Sequence, residues 1–596
     1  MNDSAEKSSD IELRYSVDEN PPPLLSAMLA AQTVLLIVAG IVLTPAIVLR
    51  GANMPASIEG GVIFFALLIS GTITMLQARK FWRFGAGYIL LMGTSGAFIA
   101  VGITALKLGG LSLLMTLIVA SSLIQFLLAG NLGLLRRVIT PLVGGTTIML
   151  LAVTVMPIAF NEFHVSDGSR AFEAPLVAVT TLGSILLLSF FGTKTLRLWA
   201  PLIGIVLGSL VSLMIGDLDT ARIEQAAWIG MPALNWPGFD LSFGQSFWML
   251  LPAFIIVTVV GAIETFGDAI AVQRISNRTE KPVDYRTVQG ALYADGLGNL
   301  LSGCAGTLPN TTYSTSISVV DMTGVASRRV GLLCGVFMVL LAFLPKLSAV
   351  ILSIPPAVVG SYILVLILLL FMHGIRMVAE DGLSYEKGFI VGMGFWLGVG
   401  FQQKAIFHEI MPDWLSPILG NGMTAGTIVT LLLVALLGLR RGKKSSLKAP
   451  LDISSLPQFQ ALVSEFSAAQ NWGSAPSNRL ELVVEETMLA LLEMRAESTG
   501  ETDRHDGSSH NHELRLEIRA QGDKAELDLA VAPVDSNVEV LIQSAKAEGP
   551  VAESQLPFRI LGSIAQDIRH FQFHGLNFIS LVVNCGPDTR RHSKLI

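Results

Sequence analysis

The sequence predicts an all-α polytopic membrane protein of about fourteen transmembrane helices in two inverted seven-span repeats, followed by a cytoplasmic α/β sandwich domain. Three observations carry this reading. Of the 596 residues, 52% are hydrophobic and only 14% charged, which excludes an ordinary soluble protein. Apolar runs near the ~20 residues that cross hydrocarbon recur from about Leu24 to Leu439. Beyond Arg440 and Arg441 those runs stop, and short alternating and helical patterns take over. A net charge of -6 gives no electrostatic case for nucleic-acid binding. Cys304, Cys334 and Cys585 show no paired spacing, so no disulfide framework, metal or cofactor site is expected.

Residues 1–22 are polar and mixed in charge, without the basic flank and short apolar core of a cleavable signal. The first span is therefore expected to act as the targeting signal. Spans are expected to begin near Leu24, Ile58, Ala86, Leu111, Val138, Pro175 and Ala200. A second set begins near Phe247, Thr287, Thr311, Val330, Leu347, Gly388 and Gly422.

Basic residues test that count. Arg79, Lys80, Arg83, Arg136, Arg137, Lys194, Arg197, Arg274, Arg278, Lys281, Arg286, Arg328, Arg329, Arg376, Arg440, Arg441, Lys443 and Lys444 fall in loops on one side. Only scattered ones (Arg50, Lys107, Arg170, Arg222 and Lys346) fall on the other. The positive-inside rule then puts both termini in the cytoplasm. Two halves of about seven spans have opposite orientation, the arrangement of an inverted repeat. The third span of each half is broken, by Gly93 and Gly96 in one and by Gly306 and Pro309 in the other. Such paired breaks point to a transport site at the membrane midplane.

The second break opens the stretch Gly306–Arg329, rich in hydroxyls and carrying Asp321. Hydrocarbon cannot hydrogen-bond such groups, so they are expected to line a cavity. A helix starting near Asn310 would aim its N–H groups into it. The expected partner is Glu264, which shares one face of its helix with Asp268 at i, i+4. Out of water a carboxylate's charged form is disfavoured. Such an acid either takes up a proton with substrate and releases it, or accepts hydrogen bonds from N–H groups of a planar ligand. Asp268 has a second reading, as a solvated group at the cytoplasmic mouth.

Residues 442–455 read as a linker and 456–596 as the cytoplasmic domain. Leu480–Met494 has helical periodicity, and ELRLEIRA and AELDLAVA alternate around Gln521, Gly522 and Asp523 as a hairpin. FRILGSIAQDIRHF reads as a helix and LNFISLVVN as a final strand. His505, His510 and His512 lie in a polar stretch, read as a solvated loop rather than a metal site.

Three motifs resemble the nucleobase–ascorbate transporters, a family that includes bacterial uracil and xanthine permeases. IETFGDAIA is similar to the family's eighth-span signature, with Glu264 at the substrate-binding glutamate and Asp268 at the aspartate of purine permeases. ADGLGNLLSG, from Ala294 to Gly303, resembles the ninth span, and PNTTYSTSISVVDMTGVASRR the tenth, which in relatives opens with a short strand. Gln32 and Thr33 occupy the place of the family's Gln-His pair. The resemblance covers roughly Pro22 to Arg441, so residues 23–441 are taken as the transport domain.

This resemblance implies a core of spans one to four and eight to eleven, a gate of the others, proton coupling in preference to sodium, and a homodimer in the bacterial inner membrane. It implies a substrate site of Gln32, Thr33, Gly96, Phe98, Glu264, Ser314, Thr315 and Ser316. Glu264 and Asp268 would serve proton coupling, with Asn310, Thr311, Thr312, Asp321 and Thr323 as supporting polar groups. Departures are Thr315, Ser316 and Ser318 in place of the usual amide and glycine residues, and Gly96 where relatives offer an aromatic ring. A hydroxyl cannot make the two-pronged contact of an amide. The expected function is cation-coupled uptake of a purine-type base such as xanthine or uric acid. Alternatives are uracil, another planar metabolite, a sulfate-permease-like anion carrier, or a membrane sensor with the terminal domain as output.

The terminal domain more loosely resembles the ATPase-like domain of anti-sigma-factor kinases, with Glu486 at the magnesium-binding acid. Ala490 stands where an asparagine belongs, and no Asp-x-Gly-x-Gly stretch follows the hairpin. A degenerate domain for regulation or protein contact is expected, and no enzyme.

Overall fold

The computed structural model describes residues 13–131, 141–163, 172–215, 220–232, 236–278, 281–380, 384–406, 419–438, 444–502, 513–521, 524–531, 556–573 and 576–586, with isolated positions between them. Two compact units result. One comprises Met1–Arg278 with Thr287–Val434, the other Thr279–Arg286 with Ala435–Ile596.

The first unit is helical because its apolar runs leave the backbone no partners but its own. Helices α1 (Pro23–Gly51) and α2 (Ala56–Arg79) lead to a three-residue strand, β1 (Met92–Thr94). Helix α3 (Ile99–Gly130) is interrupted where Gly109 and Gly110 leave helical geometry, Gly110 at φ 66°. That break coincides with the start expected for the fourth span at Leu111. Helices α4 (Pro141–Asn161), α5 (Glu173–Phe191), α6 (Lys194–Ile215) and α7 (Gln245–Ile275) follow. A two-residue strand, β2 (Val283–Asp284), runs directly into α8 (Tyr285–Ala305). Then come β3 (Asn310–Thr312), α9 (Thr315–Thr323), α10 (Arg328–Ala342), α11 (Pro345–Leu352), α12 (Pro356–Glu380), α13 (Tyr385–Gln402) and α14 (Gly422–Gly438).

Among the described residues, eight helices are long and apolar enough to cross a membrane, nine if α10 and α11, bent by 83°, form one span. Two of the expected spans fall outside that count for a physical reason. The tenth expected span is a strand plus a nine-residue helix, and α8 buries Asp295, Asn299 and Ser302 among its apolar residues. Helices α5 and α6 turn Leu187, Phe190, Phe191, Leu207 and Leu210 outward, as lipid-facing helices do.

Glycines set the closest helix contacts. A Cβ on Gly71 of α2 would lie 2.7 Å from the carbonyl oxygen of Gly335 in α10, and one on Gly335 would lie 2.5 Å from that of Gly71. Gly145 of α4 and Gly374 of α12 approach in the same reciprocal way, at 2.6 and 2.7 Å. Backbones packed this closely gain dispersion contact that hydrocarbon cannot match.

The second unit is a six-stranded sheet in the order β2-β7-β8-β6-β5-β4, covered by helices. Its elements are β4 (Lys444–Pro450), α15 (Leu456–Ala469), α16 (Ser474–Thr502), β5 (Glu513–Gln521), β6 (Lys524–Val531), α17 (Leu556–Ile564), β7 (Ala565–Phe573) and β8 (Leu576–Asn584). Leu516, Ile518, Leu527, Leu529, Ile579 and Leu581 face a core with Phe459, Val463, Leu480 and Leu491 from the helices. The hairpin closes with Gln521 opposite Lys524.

Two sequence expectations are corrected here. The stretch 444–450 is a strand paired along its length with β5, not part of a linker. FRILGSIAQDIRHF is helical only to Ile564 and continues as β7, because Ile568 and His570 alternate against β8. His505, His510, His512, Arg136, Arg137, Arg170, Arg440, Arg441 and Lys443 lie outside the described residues.

Candidate functional site

The two broken spans meet each other. Strands β1 and β3 pair antiparallel, Met92 opposite Thr312, Gly93 opposite Thr311 and Thr94 opposite Asn310. Only glycine fits at position 93, since a Cβ there would lie 2.4 Å from the Tyr313 ring. Tyr313 in turn donates its hydroxyl to the Thr94 carbonyl at 2.9 Å. The expected helix from Asn310 therefore does not form. β-branched Thr311 and Thr312 extend instead, and α9 begins at Thr315. The N–H groups of Ser316, Ile317 and Ser318 are taken by the Tyr313 and Ser314 carbonyls, so they do not point free into a cavity.

Helix α7 lies against this crossing. Thr312 donates its hydroxyl to Asp268 Oδ2 at 2.7 Å, and Ser314 donates to Oδ1 at 2.8 Å. Asp268 is thus a buried, doubly held carboxylate, 4% exposed, and not a solvated group. Glu264, one turn earlier, is half-buried and receives, among the described residues, a single long hydrogen bond, 3.3 Å from Thr311. Of the pair, Glu264 keeps acceptor capacity for a ligand.

Next to them runs a second polar layer in which, of the groups named below, sequence reasoning gave a role to Asn310 alone. Thr265 and Gln125 donate to Asp295 Oδ2 at 2.8 and 2.6 Å. Asn299 donates to Gln125 Oε1 at 2.7 Å and accepts from the Asn310 backbone N–H at 2.7 Å. Asp295 Oδ1 and Asn310 Nδ2 are buried with no partner among the described residues, and buried polar atoms of that kind call for one. The available signal was Asp295 and Asn299 at i, i+4 in α8, opposite Gln125 alone in an apolar stretch of α3.

The remaining expected site residues sort by what surrounds them. Gly96 faces open space, its nearest neighbour being Ile99 Cδ1 at 4.0 Å from a built Cβ. Ser314 is exposed, and Gln32 and Thr315 are half-buried. Four others are engaged within the fold. Phe98 is 1% exposed and packs on Phe254, ring centres 5.9 Å apart. Thr33 is buried and returns its hydroxyl to the Leu29 carbonyl at 2.7 Å. Ser316 donates to the Tyr313 carbonyl at 2.6 Å and accepts from the Leu91 N–H at 2.9 Å. Thr323 closes the end of α9, bonding the Val319 carbonyl and the Val325 N–H. Asp321 is exposed on α9. It lies seven residues beyond Ser314, whereas the carboxylate contacts come from Thr311, Thr312 and Ser314. A separate apolar cavity of about 500 Å³, lined by Ile58, Phe65, Trp236, Leu301 and Cys304, shares none of these residues.

Two interrupted spans crossing at buried carboxylates define a membrane carrier of the broken-helix class. The chain belongs to the xanthine/uracil permease family, whose profile, described as "Permease family", matches residues 25–406. It is accordingly a transporter and not an enzyme. Xanthine permease XanP of Escherichia coli (strain K12) is 27% identical over 440 residues, covering 71% of this chain and 94% of that one. Uric acid permease PucK of Bacillus subtilis (strain 168) is 26% identical over 432 residues, covering 71% and 97%. Among solved structures, the transmembrane domain of the cyanobacterial bicarbonate transporter BicA is similar at a TM-score of 0.44 and 17% identity, covering 71% of this chain and 99% of that one.

Proposed function

We propose that the protein carries a purine-type nucleobase, such as xanthine or uric acid, across the bacterial inner membrane with a co-transported cation, by preference a proton. The observation that carries this reading is the unequal carboxylate pair. Asp268 is held by Thr312 and Ser314, while Glu264 stands half-buried with one long contact in a family of base permeases. A planar base with ring N–H donors would sit between Glu264 and the open face of Gly96, with Ser314, Thr315 and Gln32 at its margin. Phe98, Thr33 and Ser316 would act from behind, by holding the site's walls.

The accompanying architecture is fourteen spans in two inverted repeats, with spans one to four and eight to eleven as core and the others as gate. Both termini are cytoplasmic and the working unit is a homodimer. Rocking of core against gate would alternate access to the site. The domain from residue 444 onward is a degenerate ATPase-like module used for regulation or protein contact, since Ala490 replaces the asparagine such a site needs.

The deciding experiment is uptake of labelled xanthine, uric acid and uracil into cells lacking their own permeases, with and without a protonophore. Uptake of a purine that collapses with the protonophore is the expected result. Uptake of uracil alone would move the substrate to the alternative class. Uptake indifferent to the protonophore but dependent on sodium would overturn proton coupling.

A further inference from the structure

The sheet of the second unit takes both of its edge strands from chain adjoining membrane helices. At one edge β4 begins at Lys444, shortly after α14 ends at Gly438. At the other edge lies β2, part of the connection between α7 and α8, paired parallel with β7 through Val283 opposite Phe571 and Asp284 opposite Gln572. Residues 279–286 belong to the sheet unit, although the chain on either side forms the helices bearing Glu264 and Asp295.

No flexible residue separates β2 from α8. The strand ends at Asp284 and the helix begins at Tyr285. Asp284 Oδ1 accepts the Arg286 backbone N–H at 2.9 Å, capping the helix start. The two edges are five strand spacings apart, about 24 Å at ~4.8 Å each.

We propose that this sheet is a built-in brake on transport, engaged when β2 is paired with β7 and released when that two-residue ladder opens. Resting on the core and gate assignment above, the sheet joins a core helix, α8, to the last gate helix, α14. A rigid sheet holding one chain segment from each body resists their relative displacement. Its weakest seam is β2–β7, which has two register pairs against seven or eight at every other seam. An edge ladder that short is the place where a binding partner or a modification of this unit would act.

The test locks and unlocks that seam in the full-length protein. Cysteines replace Val283 and Phe571 in a background with Cys304, Cys334 and Cys585 changed to serine, and the pair is oxidised in membranes. The brake predicts uptake at least fivefold slower when the bridge is formed, restored by reductant. Val283→Pro, which weakens the edge without touching the Asp284 cap, should raise the uptake rate at least twofold with substrate preference unchanged. Equal uptake with the bridge formed and reduced, failure of the bridge to form, or slower uptake in Val283→Pro each overturn the proposal. Should no base be taken up even by the unsubstituted protein, the functional reading fails and the brake is judged by hydrogen exchange over Tyr285–Ala305. Exchange slowed by the bridge supports it, and exchange indifferent to the bridge overturns it.

Discussion

Glu264 and Asp268 are one helical turn apart, yet their surroundings give them different work. Asp268 has both oxygens bound by hydroxyls of the tenth expected span, which ties that span to α7. Glu264 has one long contact and is half-buried, so under the proposed function it is the group that would exchange partners during a transport cycle. Glu264→Gln should therefore cut uptake by about a hundredfold or more, the scale of losing a proton-transferring group, at unchanged membrane abundance. Full uptake by that variant would remove Glu264 from the mechanism. Thr312→Val removes a 2.7 Å bond from a buried carboxylate, a loss of about 1–3 kcal/mol. It should lower the melting temperature of the purified protein, whereas Thr323→Val, at the end of α9, should change uptake little.

At this scale the sequence was informative where a charged side chain stood in an apolar run, and silent where a hydroxyl did. Glu264 and Asp268 were legible because an acid in hydrocarbon demands a reason. Thr33 and Ser316 look like ligand groups in one dimension. Only the fold shows their hydroxyls spent on the Leu29 and Tyr313 carbonyls. Asp295 was visible but ownerless until Gln125 and Thr265 were brought to it from two other helices.

Among the elements, the crossing of β1 and β3 is the feature on which the site depends. It exists because Gly93 leaves room for the Tyr313 ring, and because three residues of each broken span satisfy one another's backbone groups. The breaks were readable from Gly93, Gly96, Gly306 and Pro309, while the strand pairing between them was not, since it joins segments some 220 positions apart in the chain. Helix packing makes its own prediction. Gly335→Leu would drive a side chain into the Gly71 carbonyl, 2.5 Å from a built Cβ. The α2–α10 contact should then fail, with membrane abundance reduced at least severalfold in immunoblots. Gly183→Leu, whose Cβ meets nothing within 4 Å, is the matched control and should leave abundance near normal.

For the whole molecule, the second unit has its own pH response. His570 is 3% exposed in β7, and burial pushes its imidazole down to about 4 while its Nδ1 accepts the Val538 N–H. Protonation is thus favoured in the unfolded chain between the usual 6.5 and 4, so stability is full above that window and falls as pH drops through it. The loss amounts to about 3.5 kcal/mol at most, taking ~1.4 kcal/mol per pH unit. The melting temperature of the second unit in the intact protein should drop from pH 7 to pH 4.5, and His570→Gln should flatten that dependence. An equal drop in the variant would assign the effect to other groups.

What the sequence determined by itself was the class of molecule: its composition, the recurrence of apolar runs, the paired breaks and the two acids on one face of α7. These are legible because solvent is the main selector, and hydrocarbon tolerates so few patterns that each one names its environment. What only the tertiary structure decided was which polar groups are free and which are already spoken for. It also assigned a two-residue loop segment, Val283–Asp284, to the sheet of a domain that begins more than a hundred residues later. Those outcomes depend on partners distant in the chain, and nothing local marks a hydroxyl or a short edge strand as taken.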